Sequence, residues 1–361
     1  MNATTLELIP AASQRHENLT VFPLTTPRAA ELPYRLLADA VADGTLTIAE
    51  VGGGSVPELL AVNDGEEAVL VLDGEQLIGA KQNRTPNRTV LLPPRSRTKI
   101  SVSCMEQGRW RFESRFFRAA PQHSPSKVRR KTRELEAERV RAGEAARPES
   151  LFEAQMEVWA EISGMAADLG LTSATGALDS VYRTREGDLG AWAERFPPVR
   201  DQVGLLAFVG RAPLGLDVVG GRRLYGSLHQ RLLRGYVLEA LWAASKAGRA
   251  AGGATAGGAT TGGPAADGVA AGDSPLAGWS GEAGRGGREE PGADESAALR
   301  YLDAVQKATR TETPTVGLGA YRVLSGAVVG AELEDESRLV HRTAFPADNG
   351  SSTRARGLRY Y

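Results

Sequence analysis

The chain has 361 residues, 42% of them hydrophobic and 24% charged, which is the balance of a globular protein with a sizeable core to bury. Its formal net charge of -1 excludes a bulk field toward nucleic acid or membrane, so any binding must be local. Cys104 is the one cysteine, which excludes an internal disulfide, and His16, His123, His229 and His341 are too scattered for a structural zinc site, so no metal is expected.

The first residues carry neither a basic segment nor an apolar run of signal length, and no apolar run is long enough to span a bilayer. The expectation is a cytoplasmic protein without a membrane partner. Residues 1–30 read as an N-terminal arm, with one strand-like run, Leu19 to Leu24, added at a sheet edge. Leu36, Leu37 and Val41 predict a helix over Pro33 to Ala42, stopped at Asp43-Gly44, and Thr45 to Val51 reads as a strand. Gly52, Gly53 and Gly54 follow it, but lack the spacing of a dinucleotide or phosphate loop and read as a turn.

From Val69 to Phe117 short strands alternate with turn signals, the pattern of an antiparallel meander. Asp73-Gly74, Thr85-Pro86-Asn87 and Gln107-Gly108 mark turns. Thr89 to Leu92, Thr98 to Cys104 and Trp110 to Phe117 read as strands. Lys127 to Ala146 is rich in charges and good helix formers and reads as a solvated helix or linker. Its basic cluster, Lys127, Arg129, Arg130, Lys131 and Arg133, has no aromatics between its charges, so nucleic acid is not the expected partner.

Ser150 and Glu153 form a capping box before an apolar stripe, Leu151, Val158, Trp159, Ile162, Ala166 and Leu169, that should pack on the sheet. Two short helical patterns end in Trp192 and Phe196, and Val203 to Val209 reads as a buried strand. Leu224, Leu228, Leu232, Tyr236 and Ala240 give the helix Arg222 to Lys246 a wide buried face, with His229 off the stripe and on the surface. Residues 248–295 are Gly/Ala-rich with almost nothing to bury, and are expected to be a disordered insertion spanning roughly 35 to 40 Å. A helix at Ser296 to Ala308 and strands at Tyr321 to Leu324, Val328 to Leu333 and Leu339 to Phe345 are too small to fold alone. Residues 31–247 and 296–345 are therefore assigned to one α+β domain, with 346–361 as a tail. Its fold is expected to be an antiparallel sheet with recurrent glycine hairpins, packed by two or more amphipathic helices.

The recurrent hairpins are Val71 to Lys81, Ala207 to Asp217 and Arg322 to Glu332, whose glycine pairs are Gly74 and Gly79, Gly210 and Gly215, and Gly326 and Gly330. Each ends on a charge, Lys81, Asp217 or Glu332, read as the wet face of a half-buried strand.

Candidate chemistry concentrates in the central stretch. Lys81, Gln82, Asn83 and Arg84, with Arg109 nearby, supply cationic and amide donors suited to phosphate and ribose, and Trp110 supplies a ring on which a base stacks. Arg84 is read as solvent-facing, so that its removal should change stability by no more than about 1 kcal/mol. For catalysis the candidates are Glu75 and Glu106 as a carboxylate pair and Cys104 as a nucleophile. No cofactor is expected.

GEQLIGAKQNR (Gly74 to Arg84), SCMEQGRW (Ser103 to Trp110), QVGLLAFVGRAPLGLD (Gln202 to Asp217), LLRGYVLEAL (Leu232 to Leu241) and the blocks VGLGAYRV, VVGAEL and VHRTAF between Val316 and Phe345 resemble a bacterial family. It is the ADP-ribosylglycohydrolase and rhodanese-phosphatase associated protein domain. The resemblance implies a place in ADP-ribose or NAD-linked metabolism and supplies no catalytic residues. The expected function is binding of an ADP-ribose, NAD-derived or related nucleotide phosphate, with its processing by a hydrolase reaction left open; the alternative is a non-catalytic protein-interaction scaffold, recognisable by an exposed apolar face instead of a polar pocket.

Overall fold

A computed structural model of the chain describes residues 6–52, 57–143, 148–254 and 292–348, with backbone alone at 148–154 and 250–254. The N-terminal part runs β1 (Ile9–Pro10), β2 (Gln14–His16), β3 (Leu19–Thr25), β4 (Arg35–Leu36), α1 (Leu37–Ala42), β5 (Leu46–Glu50) and β6 (Glu58–Asn63). The central stretch follows as β7 (Val69–Val71), β8 (Glu75–Gly79), β9 (Arg84–Pro86), β10 (Val90–Leu92), β11 (Ser96–Cys104) and β12 (Phe117–His123). Helices α2 (Ser126–Ala142), α3 (Pro148–Asp168), α4 (Leu178–Thr184) and α5 (Glu186–Ala193) lead to β13 (Gln202–Val209), β14 (Ala212–Val219) and the long α6 (Arg222–Ala254). The chain ends in α7 (Glu295–Lys307), β15 (Thr309–Thr313), β16 (Ala320–Ser325), β17 (Val328–Asp335) and β18 (Arg338–Pro346). The fold is α+β, as expected.

The large antiparallel sheet has the order β1-β3-β13-β14-β18-β17-β16-β15, with β2 also on β3. Alternation along β13 divides its side chains between two cores. Leu205 and Ala207 meet Leu228, Leu232 and Tyr236 of α6 on one face. Leu206 and Phe208 meet Ala298, Tyr301 and Val305 of α7 on the other. Asp294 caps α7 by accepting from Ala297 N at 2.8 Å, which satisfies one of the otherwise unpaired first-turn donors.

A second unit of sheet, β12-β8-β9-β11-β6-β5 with β10-β7-β4 beside it, encloses its own core of Leu37, Leu46, Ile48, Leu59, Leu77, Val90 and Ile100. Lys81 to Arg84 follow the end of β8 and Cys104 ends β11, so the candidate residues other than Glu75 gather at one end of this unit. β13 and β14 pair about the turn at Gly210, and β16 and β17 about Gly326. The Asp73-Gly74 turn instead connects strands of different sheets, since β7 pairs with β10 while β8 pairs with β12 and β9.

Several local expectations are corrected. Trp110 to Phe117 is not a strand: the chain leaves β11 at Cys104 and runs irregularly until β12 begins at Phe117. Asp217 and Glu332 are buried, not wet, the first against Arg129 and the second against Arg310 and Arg342. Arg129 and Arg133 of the basic cluster point inward, where Arg129 grips both oxygens of Asp217 at 2.7 and 2.8 Å and Arg133 pairs with Glu136. Helix α3 packs chiefly against α2 and α6 rather than on the sheet. His229 is buried, held between Tyr225 Oη at 2.9 Å and Phe196 O at 2.8 Å, because α5 and the turn after it cover that side of α6. Of the expected insertion, residues 248–254 belong to α6 and 255–291 lie outside the described residues, as do 349–361 of the tail.

Candidate functional site

The site is built on the reversal after β8. Gly79 takes φ 124° and Ala80 φ 44°, a left-handed conformation that a side chain adopts only where its surroundings hold it there. Arg109 supplies much of that hold. Its Nη1 donates to Ala80 O at 2.7 Å, and its Nη2 donates to Gly79 O at 3.3 Å and Asn83 Oδ1 at 3.1 Å. Asn83 Oδ1 also accepts from Gly79 N at 3.1 Å, closing the turn. Glu106 completes the clamp, accepting from Arg109 Nε at 2.9 Å and Asn83 N at 3.2 Å. Burial pushes the Glu106 carboxyl up, but hydrogen bonds from Arg109, Thr175 and Asn83 outweigh it and hold the carboxyl below its usual range. Asn83, Glu106 and Arg109 are thus brought together by hydrogen bonds to one another and to the backbone of the turn.

Arg84 enters β9 with no exposed surface, which corrects the expectation of a solvent-facing arginine. Its Nη1 donates to Gln82 Oε1 at 3.1 Å and to Cys104 Sγ. Its Nη2 lies 3.8 Å from Glu50 Oε1, within ion-pair reach but beyond a hydrogen bond. Arg84 Nε and Nη2 and Glu50 Oε2 are buried without hydrogen-bond partners. Above them, the Arg84 guanidinium carbon is 5.7 Å from the centre of the Trp110 ring, and Lys81 Nζ is 5.2 Å from Trp110 and 5.2 Å from Phe112. Trp110 is 50% exposed, so the stack is a buried cation against a half-exposed ring.

The catalytic candidates fare differently. Burial pushes the Cys104 thiol up to about 11 against the lowering pull of Arg84, so at neutral pH it is a protonated thiol. The Gln155 side chain clamps its backbone, accepting from Cys104 N at 2.6 Å and donating to Cys104 O at 2.8 Å. Glu75 and Glu106 are not brought together. Glu75 begins β8 and bonds back to Leu72, whereas Glu106 is tied through Arg109 and Asn83 to Gly79 at the other end of that strand, roughly 13 Å of backbone away. Glu75 accepts from Leu72 N at 2.8 Å, and burial pushes its carboxyl up to about 7.

Glu50, Phe112 and Gln155 enter the site without a signal in the local sequence, because they come from β5, an irregular loop and α3. Among the described residues no cluster of His, Cys, Asp and Glu is suited to hold a metal ion. Nor is any described helix long and apolar enough to cross a membrane. A groove of about 310 Å³ is lined by Leu6, by Arg28 and Ala30 after β3, by Gly220, and by Ser337 and Arg338 at the β17–β18 turn, and by none of the candidate residues.

The architecture defines an α+β protein whose smaller sheet displays a cation and aromatic surface over a buried guanidinium. The chain belongs to the ARG and Rhodanese-Phosphatase-superfamily-associated Protein domain family, whose match covers residues 7–262 and so includes every element of the candidate site. That family is associated with ADP-ribosylglycohydrolase and rhodanese-phosphatase proteins. No curated protein and no solved structure matches the chain.

Proposed function

We propose that the chain binds an ADP-ribose, NAD-derived or related nucleotide phosphate where Lys81, Arg84 and Trp110 meet. The observation that carries this reading is the Arg84 guanidinium, buried beneath a half-exposed tryptophan with no hydrogen-bond partner for Nε or Nη2 and its one carboxylate, Glu50, 3.8 Å away. Buried donors without partners are costly, and an anionic oxygen reaching them relieves that cost. The half-exposed Trp110 ring offers aromatic surface for a base, and Lys81 against it offers charge to a phosphate. The family's association with proteins that handle ADP-ribose points the same way.

Binding is favoured over processing, since Cys104 is a neutral thiol and Glu106 is locked to Arg109. The scaffold alternative draws on the exposed rings of Trp110, Phe112 and Phe116 and requires no small ligand. Thermal shift with ADP-ribose, NAD and related phosphates separates the two. A binder gains about 2.7 kcal/mol at a hundredfold excess over its dissociation constant. Trp110→Ala should abolish that gain and leave the unliganded midpoint near wild type, because half of the ring is already in water. Silence across the panel would leave the scaffold reading standing.

A further inference from the structure

We propose that the loop from Arg109 to Phe116, together with Arg118 at the start of β12, is a stacking surface for single-stranded nucleic acid. Trp110, Phe112 and Phe116 are 50%, 60% and 45% exposed, and they are the strongly exposed Trp and Phe side chains among the described residues. Single exposed apolar residues are ordinary, but three large rings gathered within seven positions mark a surface built to be covered. Cations are interleaved with them: Arg111, Arg115 and Arg118 are exposed, Arg115 lies over the Phe116 ring at 5.0 Å, and Lys81 sits against both Trp110 and Phe112. The one acidic side chain of the loop, Glu113, is turned toward Arg109 at 3.5 Å. The local field is therefore basic in a chain whose net charge is -1.

The loop is also held in shape before any partner arrives. Gln107 N and Gly108 N donate to Thr175 O at 3.0 and 2.8 Å, and Glu113 N donates to Ala80 O at 2.9 Å. Ser114 Oγ accepts from Ala80 N at 3.0 Å and donates to Phe116 O at 2.8 Å. Rings presented on a fixed backbone lose little freedom on binding. The chemistry selects the partner. Rings read the π-faces of bases, which a duplex hides in its stack and a single strand exposes, while arginines between the rings follow the phosphates. An irregular loop also lacks the helix or ribbon that enters a duplex groove. One nucleotide needs one ring, so three rings with cations between them suit consecutive nucleotides, which goes beyond the mononucleotide reading.

The test is anisotropy of a labelled twelve-nucleotide poly-dT or poly-U strand titrated with the full chain at two salt concentrations, beside a duplex of equal length. The single strand should bind at least roughly tenfold more tightly than the duplex. Its affinity should fall with salt at a logarithmic slope of about -3 if Lys81, Arg111, Arg115 and Arg118 each meet a phosphate. Phe112→Ala with Phe116→Ala should weaken binding roughly tenfold or more while leaving the melting midpoint unchanged, since both rings are exposed. No binding at low salt, equal affinity for duplex, or an unaffected double variant overturns the proposal. Binding of the strand with no ADP-ribose response overturns the small-ligand reading alone, and an ADP-ribose response without strand binding overturns this one alone.

Discussion

At the scale of single residues, Arg84 has the largest energetic consequence, because it is a fully buried cation whose counter-ion, Glu50, is nearly as buried. Removing one partner of such a pair strands the other charge, which costs about 3 to 5 kcal/mol, whereas replacing both with apolar groups of similar size is often close to neutral. Arg84→Met should therefore lower stability by that amount in urea titration, and adding Glu50→Leu should restore part of it. A loss below about 1 kcal/mol for the single variant would show that water already solvates the pair. Titration supplies a second test. The Glu75 carboxyl ionises at 4.5 when free and at about 7 when folded, so folding keeps its proton and stability falls as pH rises through that window. Burial lowers His123 from 6.5 to about 3, so the unfolded chain takes up its proton first and stability falls as pH drops through that window. Between pH 4.5 and 6.5 the two slopes oppose each other at about 1.4 kcal/mol per unit. Asp73 and Asp217, held low despite burial by Arg129, add a loss only below about pH 3.8. Glu75→Gln removes one side of this balance, and on moving from pH 7 to pH 5 the variant should lose about 2 kcal/mol relative to wild type. Parallel urea midpoints for the two proteins would show that Glu75 titrates normally.

At the scale of elements, two glycines around α6 separate close approach from mere tolerance. A Cβ on Gly220, where β14 turns toward α6, would lie 1.8 Å from Leu339 O, whose neighbour Val340 accepts the Gly220 N–H at 3.1 Å. Gly220→Ala must therefore part β14 from the start of β18, at a cost of at least about 2 kcal/mol. Gly226 lies exposed in α6 with nothing within 4 Å of its would-be Cβ, so Gly226→Ala should raise stability by roughly 0.5 to 1 kcal/mol. Thermal melts check both, and a neutral Gly220→Ala would mean the sheet yields there. The same helix shows what was legible in the sequence. Leu224, Leu228, Leu232 and Tyr236 recur at helical spacing and are all buried, because a period of nearly four survives whatever the helix packs on. His229 was misplaced because α6 is covered on more than one side, and a stripe read from one face cannot reveal that. The site was legible only in its donors. Asn83 and Arg109 announced a polar cluster, but Glu50 reaches Arg84 from β5 through tertiary pairing that no local pattern encodes. Trp110 to Phe117 looked like a strand because aromatics favour strands, yet three of those rings face water and no neighbouring strand pairs with them until Phe117.

At the scale of the whole molecule, the question is how the residues after 291 relate to those before 255. β14 pairs with β18 from Leu216↔Ala344 to Val219↔His341, so the large sheet draws strands from both sides of the stretch 255–291. Helix α7 buries Tyr301 against Phe208, ring centres 6.5 Å apart, and Tyr301 Oη donates to Ala344 O at 2.9 Å. Without 292–348, the faces of β13 and β14 that carry Phe208, Leu216 and Val218 would lie open to water. A chain ending before 292 should accordingly fail to fold. We propose that the stretch between is a connection within one folding unit. Replacing 255–291 by a Gly/Ser linker of about ten residues shortens the loop nearly fourfold, which changes its closure entropy by only about 1 kcal/mol, in the stabilising direction if the linker spans the gap without strain. The urea midpoint of this variant should therefore match or slightly exceed that of the full chain. A fall of several kcal/mol together with a lower denaturant slope would mean that residues within 255–291 pack against the fold and carry part of its core.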